Sequence, residues 1–186
     1  MTCIVGMVDG STVWLAGDRA ATDGQLNRTI LKHPKIFVKG DVAFGIAGLP
    51  KFIDVLQHST ELPLFPGGDD KKFIVSELIP CIRESFTKHE CVAMDQHGQK
   101  LFMGSMLVAF AGKLYKLDSS FQTVEADCGF DAVGNGAPMA KGALASLVNG
   151  NDQDPRHILL EALNITATSN AGVAPPFDII HVKSRW

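Results

Sequence analysis

The chain has 186 residues, of which 46% are hydrophobic and 20% charged, with a formal net charge of −3. This suits one globular domain over residues 1–186, and the slight acidity leaves no electrostatic footprint for nucleic acid. No apolar stretch is long enough to span a bilayer, and no basic segment with an apolar run follows Met1, so a cytoplasmic protein without membrane contact is expected. Cys3, Cys81, Cys91 and Cys128 show neither C-x-x-C spacing nor companion histidines; four reduced thiols and no metal or other cofactor are expected.

Residues 3–8 form an apolar run, Asp9-Gly10 supplies a hairpin turn, and residues 12–16 return as a second strand. Gly17-Asp18-Arg19-Ala20-Ala21-Thr22-Asp23-Gly24 then reads as a loop that brings acid and base together at the end of a buried strand. Lys35-Ile36-Phe37 precedes a further apolar strand over 42–48 that closes on glycine. A first helix is expected from about Pro50 to His58, ending near Ser59-Thr60, and 63–68 reads as loop. Asp70 can cap a long helix running to about Lys88, with Phe73, Ile74, Leu78, Ile82 and Phe86 on one face. Pro80 should kink or divide it. A meander of strands fills about 91–133. Helices follow over 137–148, closed by Asn149-Gly150, and over 155–167, opened by Asp154 with Pro155 at the first position. This order is α+β and supports a four-layer αββα sandwich of two antiparallel sheets flanked by helices.

Thr2 stands immediately before the first strand. With Met1 removed it would carry nucleophile and base in one residue, because its α-amine, with a pKa of roughly 7.7–8.0, can take the proton of its own hydroxyl. Thr2, Gly6, Asp18, Lys35 and Gly48 together resemble the pattern of proteasome β-subunits and of the bacterial ATP-dependent ring protease, within the N-terminal-nucleophile (Ntn) hydrolases. The likeness continues through residues 106–110 and 113–118, similar to the family's central hairpin, and through Asp131 to Pro138, similar to its Ala-x-Gly-Ser-Gly-x-Pro segment. Phe177 to Val182 resembles its last strand, so the ordered similarity spans nearly the whole chain.

The resemblance implies a threonine peptidase or amidohydrolase acting on peptide or unfolded-protein substrates inside a homo-oligomeric ring, with an ATP-driven unfoldase as a possible partner. Thr2 would be the nucleophile. Lys35 would hold down the pKa of the new amine, and Asp18 would balance Lys35. The Gly48 N–H would serve the oxyanion, a contact whose loss costs roughly 3–4 kcal/mol. Thr22 would line the substrate strand, with Arg19 close enough in sequence for a substrate carboxylate. Asn135 replaces the family's Ser in Gly-Ser-Gly and keeps hydrogen bonding without a hydroxyl. The family's Asp and Ser near the last helix are not matched, although Asn170 can stand in for the Ser.

Each residue also has a plain reading. Asp18 and Lys35 can be a structural ion pair, Gly48 a turn into a helix, Thr22 a turn hydroxyl, and Arg19 a salt-bridge partner on its loop. Cys3 is expected to pack under its strand and His33 to lie on the surface. Gly134-Asn135-Gly136 lacks the Lys-Ser/Thr of a phosphate loop and the full dinucleotide fingerprint, which excludes nucleotide binding. The alternative to the enzyme is a non-catalytic ring scaffold that keeps Met1.

Overall fold

The computed structural model describes residues 1–23, 25, 27–150 and 154–186. Gly24, the last residue of the turn read after Thr22, lies outside them. Two antiparallel sheets dominate. Strands β1 (Cys3–Asp9), β2 (Thr12–Asp18), β12 (Phe130–Gly134) and β13 (Phe177–Lys183) form the first, in the order β12-β1-β2-β13. The second has the order β11-β10-β9-β6-β5, from β5 (Ile36–Lys39), β6 (Val42–Ala47), β9 (Ser105–Phe110), β10 (Lys113–Leu117) and β11 (Thr123–Glu125). Two small hairpins, β3 (Ala20–Thr22) with β4 (Arg28–Ile30) and β7 (Val92–Met94) with β8 (Lys100–Phe102), stand apart.

The strands read as apolar runs because both of their faces are buried. Along β1, Ile4 joins Leu15, Leu107, Leu114 and Val133 in a cluster that unites the two sheets, whereas Cys3, Val5 and Met7 join Leu144, Leu159 and Leu163. Those leucines belong to α4 (Ala137–Val148) and α5 (Pro155–Ser169). Along β6 the same alternation puts Ala43 and Ala47 between the sheets and sends Phe44 and Ile46 to the remaining helices. Glycine sets how closely the sheets approach. A Cβ on Gly45 would stand 2.5 Å from Ile4 Cγ2, and one on Gly6 2.7 Å from Leu15 Cδ2, so neither position tolerates a side chain without repacking.

Pro50 opens α1 (Pro50–Asp54), which passes into a wider turn over Val55–Ser59. The long helix expected after residue 70 is present in three segments: α2 (Asp70–Phe73), a π-helical turn at Ile74–Leu78, and α3 (Ile79–Lys88). Asp69, not Asp70, caps it, accepting the Lys72 N–H at 2.9 Å. The run is divided at Pro80, as expected: the proline is the second residue of α3, where its missing N–H leaves no helical bond unmade. The N–H of Ile79 reaches back to the Ile74 carbonyl, and this widened turn absorbs the register change next to the proline ring. The face predicted from spacing, Phe73, Ile74, Leu78, Ile82 and Phe86, is buried throughout. Among the described residues no helix is long and apolar enough to cross a membrane.

Candidate active site

β1 and β2 pair with Ile4 opposite Gly17, which brings the start of the chain beside the end of β2. Asp18 is not a loop residue. It is the last residue of β2, held in the sheet by β13, where it faces Phe177, and it is fully buried. Its carboxylate accepts the N–H of Cys3 at 2.9 Å on Oδ1 and the N–H of Ala20 at 3.0 Å on Oδ2. Lys35, just ahead of β5, reaches into the same interior and is 3% exposed. Its Nζ donates to Asp18 Oδ1 at 3.0 Å, to Thr2 Oγ1 at 2.9 Å and to the Ala20 carbonyl. Thr2 is itself buried, and its hydroxyl donates to the Met1 carbonyl at 2.7 Å.

The electrostatics follow from this enclosure. Burial pulls the Lys35 pKa below the ordinary lysine range, and the Asp18 charge opposes that shift. The terminal amine, on Met1, is also lowered, first by burial and then by the Lys35 charge, with Asp18 working the other way. Cys3 is no competing nucleophile. It packs under α4 and α5, and burial pushes its thiol up to about 12.

A cleft of about 110 Å³ opens beside Thr2. Met1, Thr2, Thr22, Lys35 and Gly48 line it, and apolar walls come from Leu31, Ile46 and Ile53. Gly48 lies between the end of β6 and α1, where a Cβ would stand 2.8 Å from Phe52 Cδ2 and 3.0 Å from the Met103 carbonyl oxygen. No other residue fits there without moving the main chain. Thr22 presents its Oγ1 to the terminal ammonium at 2.6 Å.

Two predicted residues stand differently. Arg19 donates through Nε and Nη2 to the two oxygens of Asp178, at 2.7 and 2.5 Å, and through Nη1 to the Lys32 carbonyl at 2.9 Å. Its guanidinium is thus engaged across to β13 and does not line the cleft. Asn135 is exposed and accepts from Asn170 Nδ2 at 3.1 Å. The backbone on either side of it touches the site: the Gly136 N–H donates to the Thr2 carbonyl at 3.2 Å, and Gly134 packs against that same carbonyl. His33 is exposed, as expected. Sequence reasoning missed the apolar walls and Gly172, whose bare Cα lies against Met1. Alternation along β6 could have singled out Ile46; Gly172 had no signal.

With this geometry in hand, the chain's likeness is to the HslV-type, proteasome β-like proteins, in sequence and in fold. The chain is similar to the ATP-dependent protease subunit HslV of Caldicellulosiruptor saccharolyticus, with 28% identity over 170 residues and 90% of each chain covered. Among solved structures, Thiobacillus denitrificans BPH matches with a TM-score of 0.81 at 17% identity, over 98% of both chains. The same protein in complex with epoxomicin matches equally well, at 16% identity. Eukaryotic HslV from Trypanosoma brucei gives a TM-score of 0.71 at 21% identity, over 98% of this chain and 99% of that one. No protein-family model matches the chain.

Proposed function

We propose that this protein is a threonine peptidase whose nucleophile is Thr2 after removal of Met1. The observation that carries the reading is the position of Lys35 Nζ, 2.9 Å from Thr2 Oγ1 and 3.0 Å from Asp18 Oδ1, at the floor of a cleft. In the mature chain the Thr2 amine takes the hydroxyl proton while Oγ attacks a peptide carbonyl carbon. The carbon–nitrogen bond of the tetrahedral adduct then breaks, and the amine passes its proton to the leaving nitrogen. Water hydrolyses the resulting ester and restores the free hydroxyl. Lys35 lowers the pKa of the amine by like-charge repulsion and stabilises the alkoxide; Asp18 fixes Lys35. The Gly48 N–H serves the oxyanion, and Thr22 lies where a substrate strand would pair beside β3. Asn135 contributes through the turn that holds the Thr2 carbonyl.

The likeness to HslV and to BPH supports the wider reading: a four-layer αββα subunit assembled into a cytoplasmic homo-oligomeric ring, fed with unfolded protein by an ATP-driven partner. Three apolar clusters, one between the sheets and one under each set of helices, agree with that layering. The alternative, a non-catalytic ring scaffold, describes a chain that keeps Met1, in which that residue acylates the Thr2 amine and lines the cleft. Chains beginning at Thr2 and chains retaining Met1 separate the two. We expect the Thr2 chain to cleave an unfolded protein and to bind epoxomicin, with Thr2→Ala and the Met1 chain inert, and all three to elute as the same assembly. Equal inactivity of the Thr2 chain would hand the case to the scaffold.

A further inference from the structure

Met1 is built into the cleft at both of its ends. Its ammonium donates to Thr22 Oγ1 at 2.6 Å, and its carbonyl accepts from Thr2 Oγ1 at 2.7 Å. Its side chain lies on Gly172: a Cβ at that position would stand 2.7 Å from Met1 Sδ and 2.9 Å from Met1 Cγ, with Met1 Cβ nearer still. Gly172 is in turn fixed by its N–H, which donates to Asn170 Oδ1 at 3.0 Å at the C-terminal cap of α5. Exposure falls from 36% at Met1 to 6% at Thr2 and 0% at Cys3. The Met1–Thr2 bond therefore sits on the inner side of the methionine.

We propose that a chain folded with Met1 in place is a self-blocked state whose Met1–Thr2 bond is closed to aminopeptidases, so that methionine removal must precede folding. The self-blocking rests on the threonine-nucleophile reading; the closure does not. To cut this bond an aminopeptidase must hold the free amine and bring water to the Met1 carbonyl carbon. The hydroxide part joins that carbon, the carbon–nitrogen bond breaks, and the proton goes to the nitrogen that becomes the Thr2 amine. Here the amine is engaged by Thr22 and the carbonyl by the Thr2 hydroxyl, while the next residue along is tied down. Cys3 pairs with Gly134 across the sheet and donates to Asp18. Presenting the bond in extended form means lifting Thr2 off Lys35 and detaching the first residue of β1 from β12, a local unfolding rather than a side-chain motion.

Gly172 gives a selective handle. The three atoms nearest its missing Cβ all belong to Met1, and its backbone lies outside the left-handed region, so alanine there meets Met1 and the main chain accepts it. In a chain beginning at Thr2 those three contacts are gone. Gly172→Ala should thus dislodge Met1 without harming the mature form.

The experiment follows intact mass while a methionine aminopeptidase acts on the folded Met1 chain, its Gly172→Ala variant, and a peptide of the first eight residues. Closure through local unfolding predicts that the peptide loses methionine at least ~100-fold faster than the folded chain, and that Gly172→Ala recovers about 10-fold or more. Equal rates for peptide and folded chain would overturn the closure, and an unchanged rate in Gly172→Ala would overturn the docking of Met1 on Gly172. Urea unfolding of the Thr2-starting Gly172→Ala chain guards against a simple folding defect: a midpoint matching its parent supports the proposal, and a lowered one counts against it. Hydrolysis by the Thr2 chain is read separately, so its absence sinks the nucleophile and leaves the mass result standing.

Discussion

Two lysine–aspartate pairs of nearly equal length sit in this molecule in opposite surroundings. Lys35 and Asp18 meet at 3.0 Å with side chains 4% and 0% exposed, whereas Lys113 and Asp70 meet at 2.8 Å with 42% and 20% exposed. The outer pair straps α2 to β10, where Tyr115 adds its hydroxyl to Asp70 at 3.3 Å. It keeps part of its hydration, so forming it gains and loses less than in the interior. The inner pair has given up water on both sides, a cost of several kcal/mol per ion that mutual attraction offsets only when the remaining polar groups are also satisfied. They are: Asp18 takes two backbone N–H groups, and Lys35 is shared with Thr2 and the Ala20 carbonyl. Two apolar side chains of similar volume would avoid the desolvation of both ions, at the cost of leaving the Cys3 and Ala20 N–H groups without their acceptor. A buried charge pair aimed at a hydroxyl is therefore better explained by chemistry than by stability.

The largest effect expected from breaking this contrast is at Lys35. Lys35→Met strands the Asp18 carboxylate with only its backbone donors, and removal of one partner from a buried pair costs about 3–5 kcal/mol. Urea unfolding should show that loss, and hydrolysis should disappear with it. Combining Lys35→Met with Asp18→Asn, which removes the stranded charge and keeps an acceptor for one of the two backbone N–H groups, should recover part of the stability and none of the activity. If the double variant were no more stable than the single one, the inner pair would be holding the fold after all.

A second, smaller effect sharpens the comparison by pH. The terminal amine of the Met1 chain is shifted below its ordinary value of about 8, by burial first and by Lys35 second. A base with a lowered folded pKa binds fewer protons than the unfolded chain between the two values. Stability from this group therefore rises with pH across that window and is level on either side of it. Amine-acylation rates against pH should give a folded midpoint below the unfolded one. Lys35→Met should move that midpoint up, and Asp18→Leu should move it down, since each removes the charge that acts in the other direction. A midpoint insensitive to both would mean that the inner pair does not reach the amine.

The sequence disclosed what depends on local pattern. Runs buried on both faces gave the strands, and Asp154-Pro155 and Asn149-Gly150 marked helix ends that the structure places at Pro155 and Val148. Thr2, Asp18, Lys35 and Gly48 were legible only as a set in order, because each alone has an ordinary structural reading; the fold brings all four to one cleft or its floor. What stayed hidden depends on distant chain. Asp18 looked like a loop residue because the strand that carries β2 as far as it, β13, begins at Phe177. Arg19 reads as a salt-bridge partner on its loop or as a ligand contact; the salt bridge is present, but with Asp178, 159 residues away, which local pattern cannot name. Leu31, Ile46 and Ile53 come from different parts of the chain and look like core until the cleft between them exists. Backbone partners such as the Ala20 carbonyl leave no trace in side-chain identity at all.

The smallest effect belongs to the outer pair, and it tests the comparison from the other side. Lys113→Ala removes the ion pair with Asp70 but leaves Asp70 partly hydrated and still bonded to Tyr115. Exposed pairs are worth about 0–1 kcal/mol, and salt screening should remove most of even that. Urea unfolding at low and high salt should therefore give a small difference that fades, with hydrolysis unchanged, because neither residue lines the cleft. A loss as large as that at Lys35, or one indifferent to salt, would mean that the two pairs are not different in kind. The inference from buried charge to chemistry would then lose its footing, since it depends on the fold having an inexpensive way to use the same two residue types elsewhere.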